Sequence, residues 1–171
     1  MRVLITGITG MIGKHLASLL AKEGCEVAGI SRATSASRYV REKPPYKHYL
    51  GDILDTTFLQ RVWQDWKPDL VYHLAAQAYN GESWDAEDTT YALNVTGSRN
   101  VLNACRRYSP QARIIPACSS AEYGFVPEHM IPIREDVTPL RPITPYGVSK
   151  ACLEMMSRQY HLNYGMDVVM P

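Results

Sequence analysis

Short β-branched runs alternate along the chain with longer stretches of helical period. "RVLITG" predicts a first buried strand. "MIGKHLASLLAKEG" predicts a helix with Ile12, Leu16, Leu19 and Leu20 on one face and Gly24 as its stop. "CEVAGIS" and "YKHYLGD" read as strands two and three. "DTTFLQRVWQDW" reads as a helix whose apolar stripe is Phe58, Leu59 and Val62. "PDLVYHLAAQ" is nearly all apolar, as a parallel strand covered on both faces must be. "DAEDTTYALNVTGSRNVLNACRRY" predicts a long helix and "ARIIPACSS" a fifth strand. "ITPYGVSKACLEMMSRQYHLNYG" predicts a helix ending at Gly165, and "MDVVMP" opens a sixth strand. Such alternation predicts an α/β domain, a doubly wound parallel sheet with flanking helices. The stretch from Phe125 to Ile143, rich in proline and charge, is the one long irregular segment, and such loops usually carry function. The chain stops as the sixth strand begins, so residues 1–171 are expected to be one domain of an incomplete chain.

Composition narrows the class only slightly. Of 171 residues, 46% are hydrophobic and 20% charged, and the formal charge of +1 gives no electrostatic pull toward nucleic acid or a membrane surface. No apolar run reaches the ~20 residues of a membrane span, and "MRVLITGITG" lacks the pattern of a signal peptide. Cys25, Cys105, Cys118 and Cys152 are scattered, with no metal-ligand spacing, so reduced thiols in a cytoplasmic protein are expected.

The chemistry starts at Gly7, Gly10 and Gly13, a G-x-x-G-x-x-G motif between the first strand and the first helix. The first glycine permits the tight turn, the second lets a pyrophosphate approach the backbone, and the third lets helix pack on strand. Free N–H groups and the positive dipole end at the helix start, around Met11 and Ile12, suit phosphates. In its strand-turn-helix setting the motif predicts a dinucleotide-binding Rossmann domain. An NAD site usually has a carboxylate at the end of strand two; this chain has Ser31 and Arg32, in "GISRATSASR". A guanidinium and hydroxyls suit a 2′-phosphate, so NADP(H) is favoured over the alternative, NAD(H). Asp52 and Ile53 follow strand three near the adenine rim, although Asp52 or Asp55 serves equally well as a helix N-cap. Leu74, Ala75, Ala76 and Gln77 leave strand four as mostly small residues that admit the cofactor. His73 reads as a packed core histidine.

"PACSSAEYG" (116–124) gathers two serines, a carboxylate and a phenol after the fifth strand. One helix later, "TPYGVSK" sets Tyr146 and Lys150 four apart, on one helix face, with Thr144 as N-cap and Pro145 as first helical residue. A helix dipole and a nearby ammonium both favour a phenolate at Tyr146, fit for proton exchange with a hydroxyl or carbonyl.

Together the glycine motif, the "HLAAQ" turn, "NVTGS" at Asn94, the Ser119 cluster and Tyr146-x-x-x-Lys150 resemble the extended short-chain dehydrogenase/reductases. "LRPITPYGVSKACLEMMSRQYHLNYGMDVV" is most similar to GDP-4-keto-6-deoxymannose reductases and, less closely, to GDP-mannose 4,6-dehydratases. The resemblance implies that Tyr146 is the acid/base and that Ser119 hydrogen-bonds the reacting oxygen. It implies that Lys150 also holds the nicotinamide ribose, so that Tyr146 and Lys150 line the cofactor as well. It places Asn94 beside the cofactor as support, and a C-terminal domain that binds the nucleotide sugar is missing. It suggests a homodimer through helices 86–107 and 144–163. Dehydratases of this kind carry a carboxylate two positions before the Tyr-Gly pair, which Tyr123-Gly124 locates at Ala121. Glu122, one place later, would point the other way in extended chain unless a one-residue gap shifts it into register. The resulting expectation is an NADP(H)-dependent nucleotide-sugar reductase or epimerase acting on a GDP-linked keto-sugar. A GDP-mannose 4,6-dehydratase-like lyase and a non-catalytic NADP-binding module are the alternatives.

Overall fold

The computed structural model describes residues 1–32 and 46–171. Its sheet contains β1 (Arg2–Thr6), β2 (Glu26–Ser31), β3 (Lys47–Leu50), β4 (Leu70–His73) and β5 (Arg113–Pro116). All neighbouring pairs are parallel, in the order β3-β2-β1-β4-β5. The winding reverses between β1 and β4, and that switch point opens a crevice at the carboxyl ends of the strands. This is the expected Rossmann-type architecture.

Strand alternation divides the core. Val3 and Ile5 of β1 join Ile8, Ala17 and Val27 under α1 (Met11–Lys22), while Leu4, Ala28, Ile30 and Val71 face the opposite layer. There they meet Leu59, Val62 and Trp63 of α2 (Thr56–Trp66). The same layer receives Val101, Leu102 and Cys105 of α4 (Ser98–Tyr108) and Tyr160 of α5 (Pro145–Tyr164).

Three expectations change. The inward face of α1 is Gly13 and Ala17, with Leu16 and Leu20 packed beside them, while Ile12 and Leu19 are exposed. Helix α1 is turned roughly a quarter-turn from its most apolar face, because it approaches the strands at its smallest residues. A Cβ on Gly13 would lie 2.5 Å from the Gly7 carbonyl oxygen and 2.7 Å from Ile8 Cα. The long helix is composite: α3 (Glu87–Tyr91) passes through a π-helical segment, Ala92–Gly97, into α4. The sixth strand is reduced to one parallel bridge, Val168 to Ile114, in which Ile114 N–H donates to Asp167 and Val169 N–H to Ile114.

The ends follow their sequence signals. Asp55 caps α2 by accepting from Phe58 N–H, and Thr144 caps α5 by accepting from Gly147 N–H. Gly24 and Gly165 take the left-handed conformation after α1 and α5.

The close seating of α1 gives a first prediction. Gly13→Ala should cost about 3 kcal/mol, because the atoms it meets are backbone and cannot yield. Gly24→Ala meets nothing within 4 Å and carries only the penalty of its positive φ, about 1 kcal/mol. Urea denaturation of the two variants measures the difference, and equal losses would contradict this packing.

Candidate active site

The carboxyl end of β1 forms the first wall. Gly7 sits at φ +74°, and a Cβ there would stand 2.9 Å from the backbone nitrogen of Ala75. The glycine turn therefore lies directly against Leu74 and Ala75, the turn leaving β4. Gly10 is the N-cap of α1 in extended conformation, with no side chain capping the helix. Met11 and Ile12, the first helical residues, are exposed. A bare backbone and an uncapped helix N-terminus at the switch point fit the phosphates of a dinucleotide.

At the end of β2, Ser31 is buried and its hydroxyl pairs with His48 Nε2 at 2.8 Å. His48 was not foreseen; its position on β3 opposite β2 follows from sheet register rather than from any motif. Arg32 is exposed beyond it. The rest of the hydroxyl-rich stretch, residues 33–38, lies outside the described residues. Asp52 makes a local turn by accepting from Leu54 N–H at 2.9 Å, while Asp55 is the helix cap. Ile53 is buried against Gly97, and its carbonyl accepts from Asn100.

Two buried polar lines tie the crevice together. Thr6 Oγ1 pairs with His73 Nδ1 at 2.7 Å, and His73 Nε2 with Ser98 Oγ at 2.8 Å. Ala75 N–H also donates to Thr6 Oγ1. Burial first, and the Lys150 charge second, push the His73 imidazole down to about 3, so the ring is neutral, a core histidine as its apolar setting indicated. The second line starts at Asn94 in the π-helical segment. Its Oδ1 accepts from Gln77 N–H at 2.8 Å, and its Nδ2 donates to Gln77 O at 3.0 Å and Ser149 Oγ at 2.9 Å. Ser149 Oγ donates onward to the Tyr146 carbonyl at 2.7 Å. The Asn94 amide thus braces the β4 turn against the helix that carries Tyr146. Ser149 had no sequence signal, because serines within helices are common.

The end of β5 and the start of α5 carry the residues that the sequence marks as candidates for the chemistry. Residues 120–122 form a 3₁₀ turn, not extended chain. Ser119 caps it: Oγ accepts from Ala121 N–H at 3.2 Å, and Ser119 N–H donates to Glu122 Oε1 at 2.8 Å. Glu122 therefore folds back rather than pointing to the far side, and it is only 1% exposed. The S-x-x-E spacing at 119–122 is a capping-box signature that carried this information. Capping occupies a lone pair on Ser119 Oγ and leaves the hydroxyl hydrogen to donate.

The first turn of α5 docks on this cap. A Cβ on Gly147 would lie 2.6 Å from the Ala121 carbonyl oxygen, so only glycine lets the first turn of α5 seat this closely on the cap. Lys150 is buried, donates to Ala117 O at 2.7 Å, and lies 5.9 Å from the centroid of the Tyr146 ring. Burial lowers the Lys150 ammonium, while Cys118 and Glu122 oppose that shift. Burial, chiefly, pushes the Cys118 thiol up to about 12, so it is no nucleophile. Exposed Tyr79 and Trp84 after β4, and Phe125 after β5, stand on the loops that follow these strands.

A parallel sheet with this switch point and a glycine turn before its first helix is the architecture of the extended short-chain dehydrogenase/reductases, which include a nucleotide-sugar branch. The chain belongs to that branch: residues 4–170 match the family model described as GDP-mannose 4,6 dehydratase. It is 34% identical to a GDP-mannose 4,6-dehydratase of Yersinia enterocolitica over 96% of this chain and 47% of that one. It is 37% identical to a UDP-glucose 4-epimerase of Lactobacillus helveticus over 90% of this chain and 45% of that one. The fold superimposes on a Thermus thermophilus UDP-glucose 4-epimerase solved with NAD, with TM-score 0.89 and 32% identity, covering 99% of this chain and 54% of that one. The chain spans about half the length of the relatives it matches.

Two of the buried titratable groups, His73 and Glu122, pull stability in opposite directions with pH. His73 stays neutral when folded, whereas the unfolded chain takes up its proton near pH 6.5, so acid below 6.5 destabilises the fold. Glu122, raised to about 7 by burial and then by Glu154, holds a proton in the fold that the unfolded chain releases above about 4.5, so acid stabilises through this group. In the native chain the two offset one another between these values. His73→Asn should remove the first effect, so the variant should lose less stability than the native chain between pH 7 and pH 5. Thermal melts in which the variant and the native chain lose the same stability between pH 7 and pH 5 would contradict the neutral, buried His73.

Proposed function

We propose that this domain binds NADP(H) and uses it for proton-coupled hydride exchange at a carbon of a GDP-linked keto-sugar, as a reductase or epimerase. The observation that carries the reading is the Ser119–Glu122 capping box. It turns the nearest carboxylate into the protein, and Ala121 occupies the position where the dehydratase pattern needs a base. A methyl group cannot abstract the proton that expulsion of water requires.

The glycine turn fits the dinucleotide phosphates, with Gly7, Gly10, Met11, Ile12 and Gly13 around them. Leu74, Ala75, Ala76 and Gln77 form the opposite wall, and Asp52 and Ile53 lie toward the adenine end. The bound cofactor would supply the hydride to the carbonyl carbon. Ser119 Oγ donates a hydrogen bond to the carbonyl oxygen, and Tyr146 Oη gives that oxygen its proton, so C=O becomes CH–OH. The Lys150 ammonium favours the phenolate left behind. Asn94 holds the β4 turn and α5 in register rather than touching the reacting atoms. Ser31 and Arg32, with no carboxylate at the end of β2, support NADP(H) over NAD(H), although the epimerase structure cited above was solved with NAD. We also propose that the chain pairs as a homodimer through 86–107 and 144–163; sedimentation as a monomer alone would exclude this.

Turnover of GDP-4-keto-6-deoxymannose with NADPH tests the reaction. Tyr146→Phe should lower it at least ~100-fold and still bind NADPH. Conversion of GDP-mannose to its 4-keto-6-deoxy product would instead establish the lyase reading. Cofactor binding without turnover of any keto-sugar would establish a non-catalytic module. For the cofactor, NADPH should bind more tightly than NADH, and Arg32→Asp should reverse the order; calorimetry showing tighter NADH binding to the unaltered chain would refute the preference.

A further inference from the structure

Ser31, the last residue of β2, is 6% exposed, and its hydroxyl lies 2.8 Å from His48 Nε2 on β3. Sheet register explains the meeting. His48 stands opposite Gly29, so it shares a sheet face with Val27, Gly29 and Ser31, the face that α1 covers. The Tyr46 ring stands edge-on to the imidazole, with centroids 6.0 Å apart. A Cβ on Gly29 would run into the Ile8 side chain, so the glycine turn rests on this same face. Gly7 N–H and Ile8 N–H both donate to the Ile30 carbonyl, at 2.9 and 3.3 Å, and Gly51 N–H donates to the Ser31 carbonyl at 3.0 Å. Ser31 is thereby pinned between the glycine turn and the end of β3.

A hydroxyl has one hydrogen to give, and its neighbour decides where that hydrogen goes. If His48 Nε2 is bare, it accepts the Ser31 hydrogen, and Ser31 offers the crevice only a lone pair. If Nε2 carries hydrogen, it donates to Ser31 Oγ, and the Ser31 hydrogen is free for the crevice. Burial holds the ring below the ordinary histidine range, so at neutral pH it carries a single hydrogen and either state is open to it. The two cofactors differ in what they need from this pair. A ribose 2′-hydroxyl donates or accepts, and so adapts to either state. A 2′-phosphate offers only acceptor oxygens and requires the second state.

We propose that His48 is a positioning residue that sets cofactor specificity through Ser31: with hydrogen on Nε2, it makes the Ser31 hydroxyl a donor for the 2′-phosphate of NADP(H). Arg32, one residue on, brings charge to the same end of β2, and the relay from His48 brings direction. The pair is a property of the fold; its effect on cofactor choice rests on the NADP(H) reading above.

Nitrogen-15 NMR of the histidine rings tests the relay without any activity, with adenosine 2′,5′-bisphosphate as the probe. In that complex Nε2 of His48, assigned by its loss in His48→Phe, should carry hydrogen; a bare Nε2 would overturn the relay. Calorimetry on variants gives an independent measure. His48→Phe should weaken NADPH binding about fivefold, the equivalent of one lost hydrogen bond, and leave NADH binding within about twofold. His48→Gln, whose amide can donate to Ser31, should keep NADPH binding within about twofold of the native chain. Because His48 acts only through Ser31, adding His48→Phe to Ser31→Ala should cost no further NADPH affinity. Equal losses of both cofactors in His48→Phe, no rescue in His48→Gln, or additive losses in the double variant would mark a merely structural role and overturn the proposal. Tighter binding of NADH than NADPH to the unaltered chain refutes the cofactor reading, and the relay with it. A native preference for NADPH alongside a bare Nε2 or additive losses refutes the relay alone.

Discussion

The Ala121 carbonyl and the α-carbon of Gly147 meet so closely that no side chain fits between them. This contact makes the cap at the end of β5 and the first turn of α5 one rigid piece. Ser119 lies on one side of the contact and Tyr146 on the other. Lys150, one turn further along α5, reaches back to Ala117, just ahead of the same cap. Three side chains from two separate elements thus share a single frame, which is how a protein holds a reactive grouping in fixed geometry.

Buried polar lines extend that frame across the sheet. Thr6, His73 and Ser98 link β1, β4 and α4. Asn94 and Ser149 link the β4 turn to α5. A buried polar group without a partner is expensive, so such lines fix one arrangement of the elements where apolar packing would accept several. The neutral His73 suits this purpose, because an uncharged ring donates through one nitrogen and accepts through the other. The crevice is therefore firm at the point where β1 and β4 diverge, and the exposed aromatic side chains of the surrounding loops lie outside this bracing.

The sheet and its helices were legible in the sequence because parallel strands buried on both faces must be apolar runs. The caps at Asp55, Thr144 and Gly165 were legible because each uses a residue type suited to its hydrogen bond or backbone angle. The face of α1 was not, since hydrophobicity marks Ile12 and Leu19 while the packing favours the smallness of Gly13 and Ala17. The fold of Glu122 was missed by treating Ser119–Glu122 as extended, although S-x-x-E is itself a turn signature. Ser149 and His48 were out of reach: each matters through a partner distant in sequence, and nothing local marks such a pairing.

The π-helical segment Ala92–Gly97 separates two obligations of one continuous helix. Asn94 must face the crevice, whereas Val101, Leu102 and Cys105 must face the sheet. A π-helical turn holds about one residue more than an α-helical turn, so the segment takes up an extra residue while the helix beyond it keeps its facing. The segment therefore works like an expansion joint: it takes up a residue of length locally, so that Asn94 reaches the β4 turn while the side chains of α4 stay on the sheet.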